Sequence, residues 1–205
     1  MSSTAAARAL TTSLRRVGIA GVEPVSWDEH LCAFYRSRAE LVDLVVPFVK
    51  AGLEDGEFCI WMTGGPIREG DAMRALQRAV PDLPRYIEAK QVEIVAHDRW
   101  RPNGAFDAEP ALGQRGWPAG RAAKRFAGLR TAGNPCSLAD ERGGEFSSEY
   151  ETWVREQMGA ERMMALCTYP AARCDPFRML QTLACHGTTL LPKPHARGWQ
   201  RAHVL

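Results

Sequence analysis

Short, almost wholly apolar runs alternating with stretches of helical spacing are the feature that most limits how this chain can fold. His30-Leu31-Cys32-Ala33-Phe34-Tyr35, Phe58-Cys59-Ile60-Trp61-Met62, Val92-Glu93-Ile94-Val95-Ala96 and Met163-Met164-Ala165-Leu166-Cys167-Thr168-Tyr169 all have the length of strands. Runs with so few polar residues fit strands covered on both faces. A weaker strand is expected at 129–132. After the first run, Ser37 and Glu40 have the spacing of a capping box, in which each side chain satisfies a free N–H at a helix start. Leu41, Leu44, Val45, Phe48 and Val49 then recur at about 3.6-residue spacing and form one apolar face. Pro47 falls inside this helix, where it removes a backbone hydrogen bond and is expected to kink it, with Gly52 or Gly56 available to end it.

Further helices are expected from a cap at Asp71 to about Val80, as a short turn over 84–89, over 122–129 and over 146–158. A last one starts at a cap on Asp175, with Pro176 in the first helical position, and runs to about Cys185. Residues 97–118 lack a clear period and read as a long loop. The alternation predicts a three-layer α/β/α fold around a mainly parallel sheet. In such sheets the ligand crevice lies beyond the carboxyl ends of the strands. That rule selects Tyr35, Arg36, Asp98, Trp100, Asn134 and Tyr169 as ligand-binding residues, with Trp100 and Trp117 either a lid or plain anchors of the loop.

A hydrophobic content of 45% over 205 residues supports one core. The expected division is a flexible arm over 1–26, one domain over 27–190 and a mobile tail over 191–205. Arg8, Arg15 and Arg16 precede the first acid, Glu23, which has the flavour of a transit peptide, but a plain disordered or loosely helical extension is the expectation. A formal charge of +2 gives no reason to expect direct nucleic-acid or membrane contact. The apolar runs are far below the roughly 18 residues of a spanning helix, and six cysteines without a Cys-x-x-Cys pair read as reduced thiols, so a cytoplasmic setting is expected.

Gly65 and Gly70 have phosphate-loop spacing, yet the next two residues are Asp71 and Ala72 where Lys and Ser/Thr would grip phosphate and magnesium. An ordinary turn is the expectation. Cys174 and Cys185 are eleven residues apart, about three helical turns, which is too far for one tetrahedral site, so no metal is assigned. His30 and Cys32 point to one face of their strand, and His30 is expected to be a buried histidine satisfied by a carbonyl. Neither a Gly-x-Ser-x-Gly elbow nor His-Glu-x-x-His is present, and Glu145, Glu149 and Glu151 read as a solvated helix face. No catalytic residue and no cofactor are assigned.

His30 to Tyr35, then Glu40-Leu41 through Pro47-Phe48-Val49 and Gly52-Leu53-Glu54-Asp55-Gly56-Glu57-Phe58-Cys59, resemble the MEDS domain, a sensory domain of methanogen signalling proteins and the regulator DcmR. Asp98-Arg99-Trp100, Gly104-Ala105-Phe106-Asp107, Gly128-Leu129-Arg130, Glu149-Tyr150-Glu151 and Ala165-Leu166-Cys167-Thr168-Tyr169 extend the likeness over roughly 27–190, with departures at 110–121 and 134–146. That family is similar to RecA/KaiC-type ATPases. The resemblance puts the phosphate loop at Tyr35 to Glu40, where no Gly-Lys-Thr stands. It implies a sensory module without ATP hydrolysis, not an enzyme, that binds a small ligand such as a hydrocarbon derivative or one-carbon compound. A histidine kinase or transcription regulator would read the outcome, since no output domain fits in the remaining residues. The alternative is a redox- or metal-responsive protein using Cys167, Cys174, Cys185 and His186.

Overall fold

The computed structural model describes residues 14–96, 125–134, 154, 155, 158, 162–193 and 198–202. Within them, seven strands form one sheet: β1 (His30–Tyr35), β2 (Phe58–Thr63), β3 (Val92–Ala96), β4 (Leu129–Gly133), β5 (Met163–Pro170), β6 (Thr188–Pro192) and β7 (Trp199–Ala202). Their order is β3-β2-β4-β5-β1-β6-β7, and every neighbouring pair is parallel except β6 with β7. The expected mainly parallel α/β sheet is therefore the fold. The central β1 is buried at every residue, as its unbroken apolar run requires.

Four helices accompany the sheet among the described residues: α1 (Arg38–Glu54), α2 (Glu69–Ala79), α3 (Leu83–Glu88) and α4 (Pro176–Cys185). The Ser37 half of the expected capping box forms, while Glu40 reaches one residue further back, to the Arg36 N–H and not that of the cap. Ser37 Oγ accepts from the Glu40 N–H at 3.2 Å, and Glu40 Oε2 accepts from the Arg36 N–H at 2.7 Å. The apolar stripe of α1 packs with α2 and the alternate residues Leu31, Ala33 and Tyr35 of β1 on one face of the sheet. Cys32, Phe34, Cys167 and Tyr169 face the other way, against Val154, Met158, Met179 and Leu183. Helix α1 continues through Pro47 and ends at Glu54, with Gly56 at φ +73° turning the chain into β2.

Three expectations need correction. Helix α2 starts two residues before Asp71, with Arg68 at its cap; Asp71 lies in the first turn, where its charge suits the helix start and pairs with Arg38 at 3.1 Å. Residues 14–26 belong to the body of the fold: Val17, Ile19 and Val25 are buried in the core, and Arg15 pairs with Val25 in an antiparallel bridge. Likewise the tail supplies β7, whose Trp199 is buried and whose N–H donates to the Ala20 carbonyl at 3.0 Å. Gly, Pro and isolated apolar residues hide both segments, because each is ordered by partners distant in sequence. Residues 97–124, including the expected long loop, lie outside the described residues.

Candidate functional site

The carboxyl end of β1 carries the first candidate site. Tyr35 is the last residue of β1 and Asn134 follows the last of β4, with β5 between the two strands. Asn134 Nδ2 donates to the Tyr35 hydroxyl at 2.9 Å, so the pair spans β5. Beneath it, Thr168 of β5 donates to the Gly133 carbonyl at 2.8 Å. Both Tyr35 and Asn134 are buried. The strand order β4-β5-β1 brings together these two residues, both of which lie at carboxyl ends of strands.

One residue further, Arg36 turns outward and lines a cavity of about 440 Å³ with Glu40 and Asp43 of α1 and with Pro192, Lys193, Gly198 and Trp199 at the end of β6 and the start of β7. The cavity sits beside the start of α1, where free N–H groups of a helix would ordinarily offer an anion site. Here one of those groups, the Glu40 N–H, is taken by Ser37 Oγ, and the Glu40 carboxylate sits at the helix start, accepting from the Arg36 N–H ahead of the cap and gripped by the Arg36 guanidinium at 2.6 Å. Hydrogen bonding from Arg36 holds the Glu40 carboxyl below the usual carboxylate range, so it is ionised at neutral pH.

Tyr169 does not join this group. Its alternate position on β5 sends it to the opposite face of the sheet, where its ring lies 5.6 Å from that of Phe34. Asp98 and Trp100, like Trp117 and Glu145, Glu149 and Glu151, lie outside the described residues. The Gly65 to Gly70 stretch is a turn leading into α2, with Gly65 at φ +66°.

Around Tyr169 lies a second constellation. His30, Cys167 and His186 are all buried, and one ligand atom from each falls within 4.8 Å of the others. His30 Nε2 is 3.3 Å from Cys167 Sγ, and the His30 and His186 rings have centroids 3.9 Å apart. His186 Nδ1 donates to the Thr182 carbonyl at 2.7 Å, while its Nε2 faces the Tyr169 hydroxyl at 3.5 Å. Burial lowers His186 to about 4 and His30 to about 2, His30 also feeling its neighbour His186; both imidazoles are neutral at physiological pH. Sequence reading paired Cys167 and His186 with Cys174 and Cys185 and expected a carbonyl for His30. The structure instead sets His30 against the Cys167 thiol and leaves Cys174 and Cys185 outside the group. The missing signal was strand register, which places Cys32 beside Cys167 and so aligns His30 with the same face.

Among the described residues no helix is long and apolar enough to cross a membrane. The chain is similar in structure to the flagellar accessory protein FlaH of Methanocaldococcus jannaschii, with TM-score 0.60 at 6% identity, covering 84% of this chain and 74% of that one. It is also similar to the KaiC-like protein PH0186 of Pyrococcus horikoshii OT3, with TM-score 0.56 at 18% identity, covering 87% and 81%. Identities this low speak for a shared RecA/KaiC-like fold and nothing finer. No curated protein matches the sequence. Residues 29–187 match the methanogen/methylotroph, DcmR sensory domain. That match spans β1 to β5, the α1 side of the cavity and the His30, Cys167 and His186 group, and the chain belongs to the MEDS family of sensory domains.

Proposed function

We propose that this protein is a signalling module that senses a small ligand through the cavity at the start of α1 and does not hydrolyse nucleotide. The observation that supports the reading is the Glu40 carboxylate held at that helix start by Arg36. A phosphate loop leaves backbone N–H groups open and adds a lysine; here Glu40 takes the N–H of Arg36 and brings a negative charge to the place a phosphate would occupy. A nucleotide would have to displace an ion pair made at 2.6 Å and then face that carboxylate. This supports a framework kept for binding after loss of the phosphate grip.

The lining adds to the choice of ligand. Arg36, Glu40, Asp43 and Lys193 present charges of both signs, which favour a small polar derivative over a bare hydrocarbon. Occupancy would bridge α1 to the end of β6 and the start of β7, and a histidine kinase or transcription regulator would read the change from outside. A thermal-shift screen of one-carbon, halogenated and amino compounds tests the idea, since a ligand for the folded state raises its melting temperature. The expected hit loses its effect in Arg36→Met and Asp43→Asn. A flat screen confirmed by calorimetry, or magnesium-dependent ATP turnover that stops in Arg36→Met or Arg38→Met, would refute it.

A further inference from the structure

The buried trio on the opposite face of the sheet answers to different chemistry from the cavity and needs none of the sensory reading. Two imidazoles and one thiol, drawn from β1, β5 and the residue after α4, converge in the buried interior beside the Tyr169 hydroxyl. Around a tetrahedral zinc ion, a sulfur and a nitrogen ligand lie roughly 3.5 Å apart. His30 Nε2 and Cys167 Sγ are already 3.3 Å apart. The third donor is oriented as metal-bound histidines usually are, by the ring nitrogen that does not bind. His186 Nδ1–H is fixed on the Thr182 carbonyl at 2.7 Å, which leaves the Nε2 lone pair facing the trio.

We propose that His30 Nε2, Cys167 Sγ and His186 Nε2 form a binding site for one borderline-soft divalent metal ion, with zinc the best chemical match. On binding, the Cys167 S–H bond breaks, its proton leaves to solvent, and the thiolate pair forms the metal–sulfur bond; no oxidant is required. One thiolate and two neutral imidazoles leave a zinc centre with one net positive charge, in a setting where the Arg155 guanidinium also acts on both histidines. That charge favours an oxygen donor at the fourth position. The Tyr169 hydroxyl, 3.5 Å from His186 Nε2, is placed to supply it or to yield to a small anion.

The test uses the full chain, purified reduced, then both incubated and refolded with cobalt(II) alone. The expected result is one cobalt per chain retained through gel filtration, with a sulfur-to-cobalt charge-transfer band that zinc abolishes. Cys167→Ser removes the band, Tyr169→Phe weakens binding by about tenfold or more, and Cys185→Ser changes nothing. Should the ligand variants misfold, X-ray absorption of the zinc-loaded wild type decides the matter independently, with one sulfur and two imidazoles expected. Failure of both treatments to retain metal, a coordination sphere without sulfur, or a band lost in Cys185→Ser instead of Cys167→Ser would each overturn the assignment.

Discussion

Arg130 and Glu57, neither with any exposed side-chain surface, form a buried ion pair at the base of β4 and β2. The guanidinium also donates to the carbonyls of Phe48 at 3.0 Å and Arg16 at 2.9 Å, while Arg15 reaches the same carboxylate at 2.8 Å. One pair therefore ties α1, the sheet and the segment before β1 together. Glu57→Gln leaves the buried Arg130 guanidinium without its counter-charge and should cost about 3–5 kcal/mol, whereas Arg130→Met leaves Glu57 paired with Arg15 and should cost less. Denaturant midpoints check this. Combining Arg130→Met with Glu57→Leu should cost clearly less than the sum of the single changes.

Gly52 and Gly70 are both helical glycines with opposite expectations. A Cβ on Gly52 would lie 2.7 Å from Cys59 Sγ and 2.8 Å from Arg130 Cδ, both buried. Helix propensity favours alanine by roughly 1 kcal/mol, but overpacking costs about 1–3 kcal/mol. Overpacking wins here because the neighbours are held by the ion pair. A Cβ on Gly70 would meet only the Arg74 guanidinium at 3.5 Å, so Gly70→Ala should be neutral or stabilising by up to about 1 kcal/mol. Paired thermal melts of the two variants distinguish them.

Acid should weaken the start of α1 through Glu40. Its folded pKa is depressed, so the unfolded chain takes up the proton first as pH falls. The carboxylate's contribution is thus complete above its ordinary value of 4.5 and drains away below it, as pH drops toward the depressed folded value. Glu40→Gln, which keeps the hydrogen-bonding shape of the box, should flatten that part of the profile of stability against pH. Urea titrations at a series of acid pH values supply the measurement.

Thiol reactivity should be sharply graded. Burial pushes the Cys59 thiol well above the ordinary range, and Cys32, Cys167 and Cys174 are also buried, whereas Cys185 is partly exposed. In the native protein an alkylating reagent should modify Cys185 long before Cys59, and denaturant should erase the difference. Peptide mapping over time reads this directly.

Much of the frame was legible in the residues because its strands are short and nearly continuous in apolar character. The limits of β1 and β3 fall where the runs themselves begin and end. Tyr35 and Asn134 could each be placed at the carboxyl end of a strand, but the order β4-β5-β1 that brings them together is not written in the runs themselves. Other features depend on partners that no local window holds. Val17 and Ile19 straddle a glycine that lies against Pro47 and Ala51 of α1, and Trp199 stands alone in a polar tail and bonds back to Ala20; each is buried by partners far away in sequence. The His30, Cys167 and His186 group needed the register of β1 against β5, and Tyr169 was assigned to the crevice because alternation along β5 cannot be phased from the sequence alone.

The pairing of β1 with β6 has a practical consequence for anyone cutting the molecule to its family limits. A fragment of residues 29–187 ends one residue before β6 and omits the buried Val17, Ile19, Val25 and Trp199. It would lay bare the backbone donors and acceptors of β1 along a flat apolar margin, the kind of template on which copies of a chain add to one another. Such a piece should precipitate or assemble into oligomers, while one extending from residue 14 through residue 202 should stay monodisperse in light scattering at the same concentration.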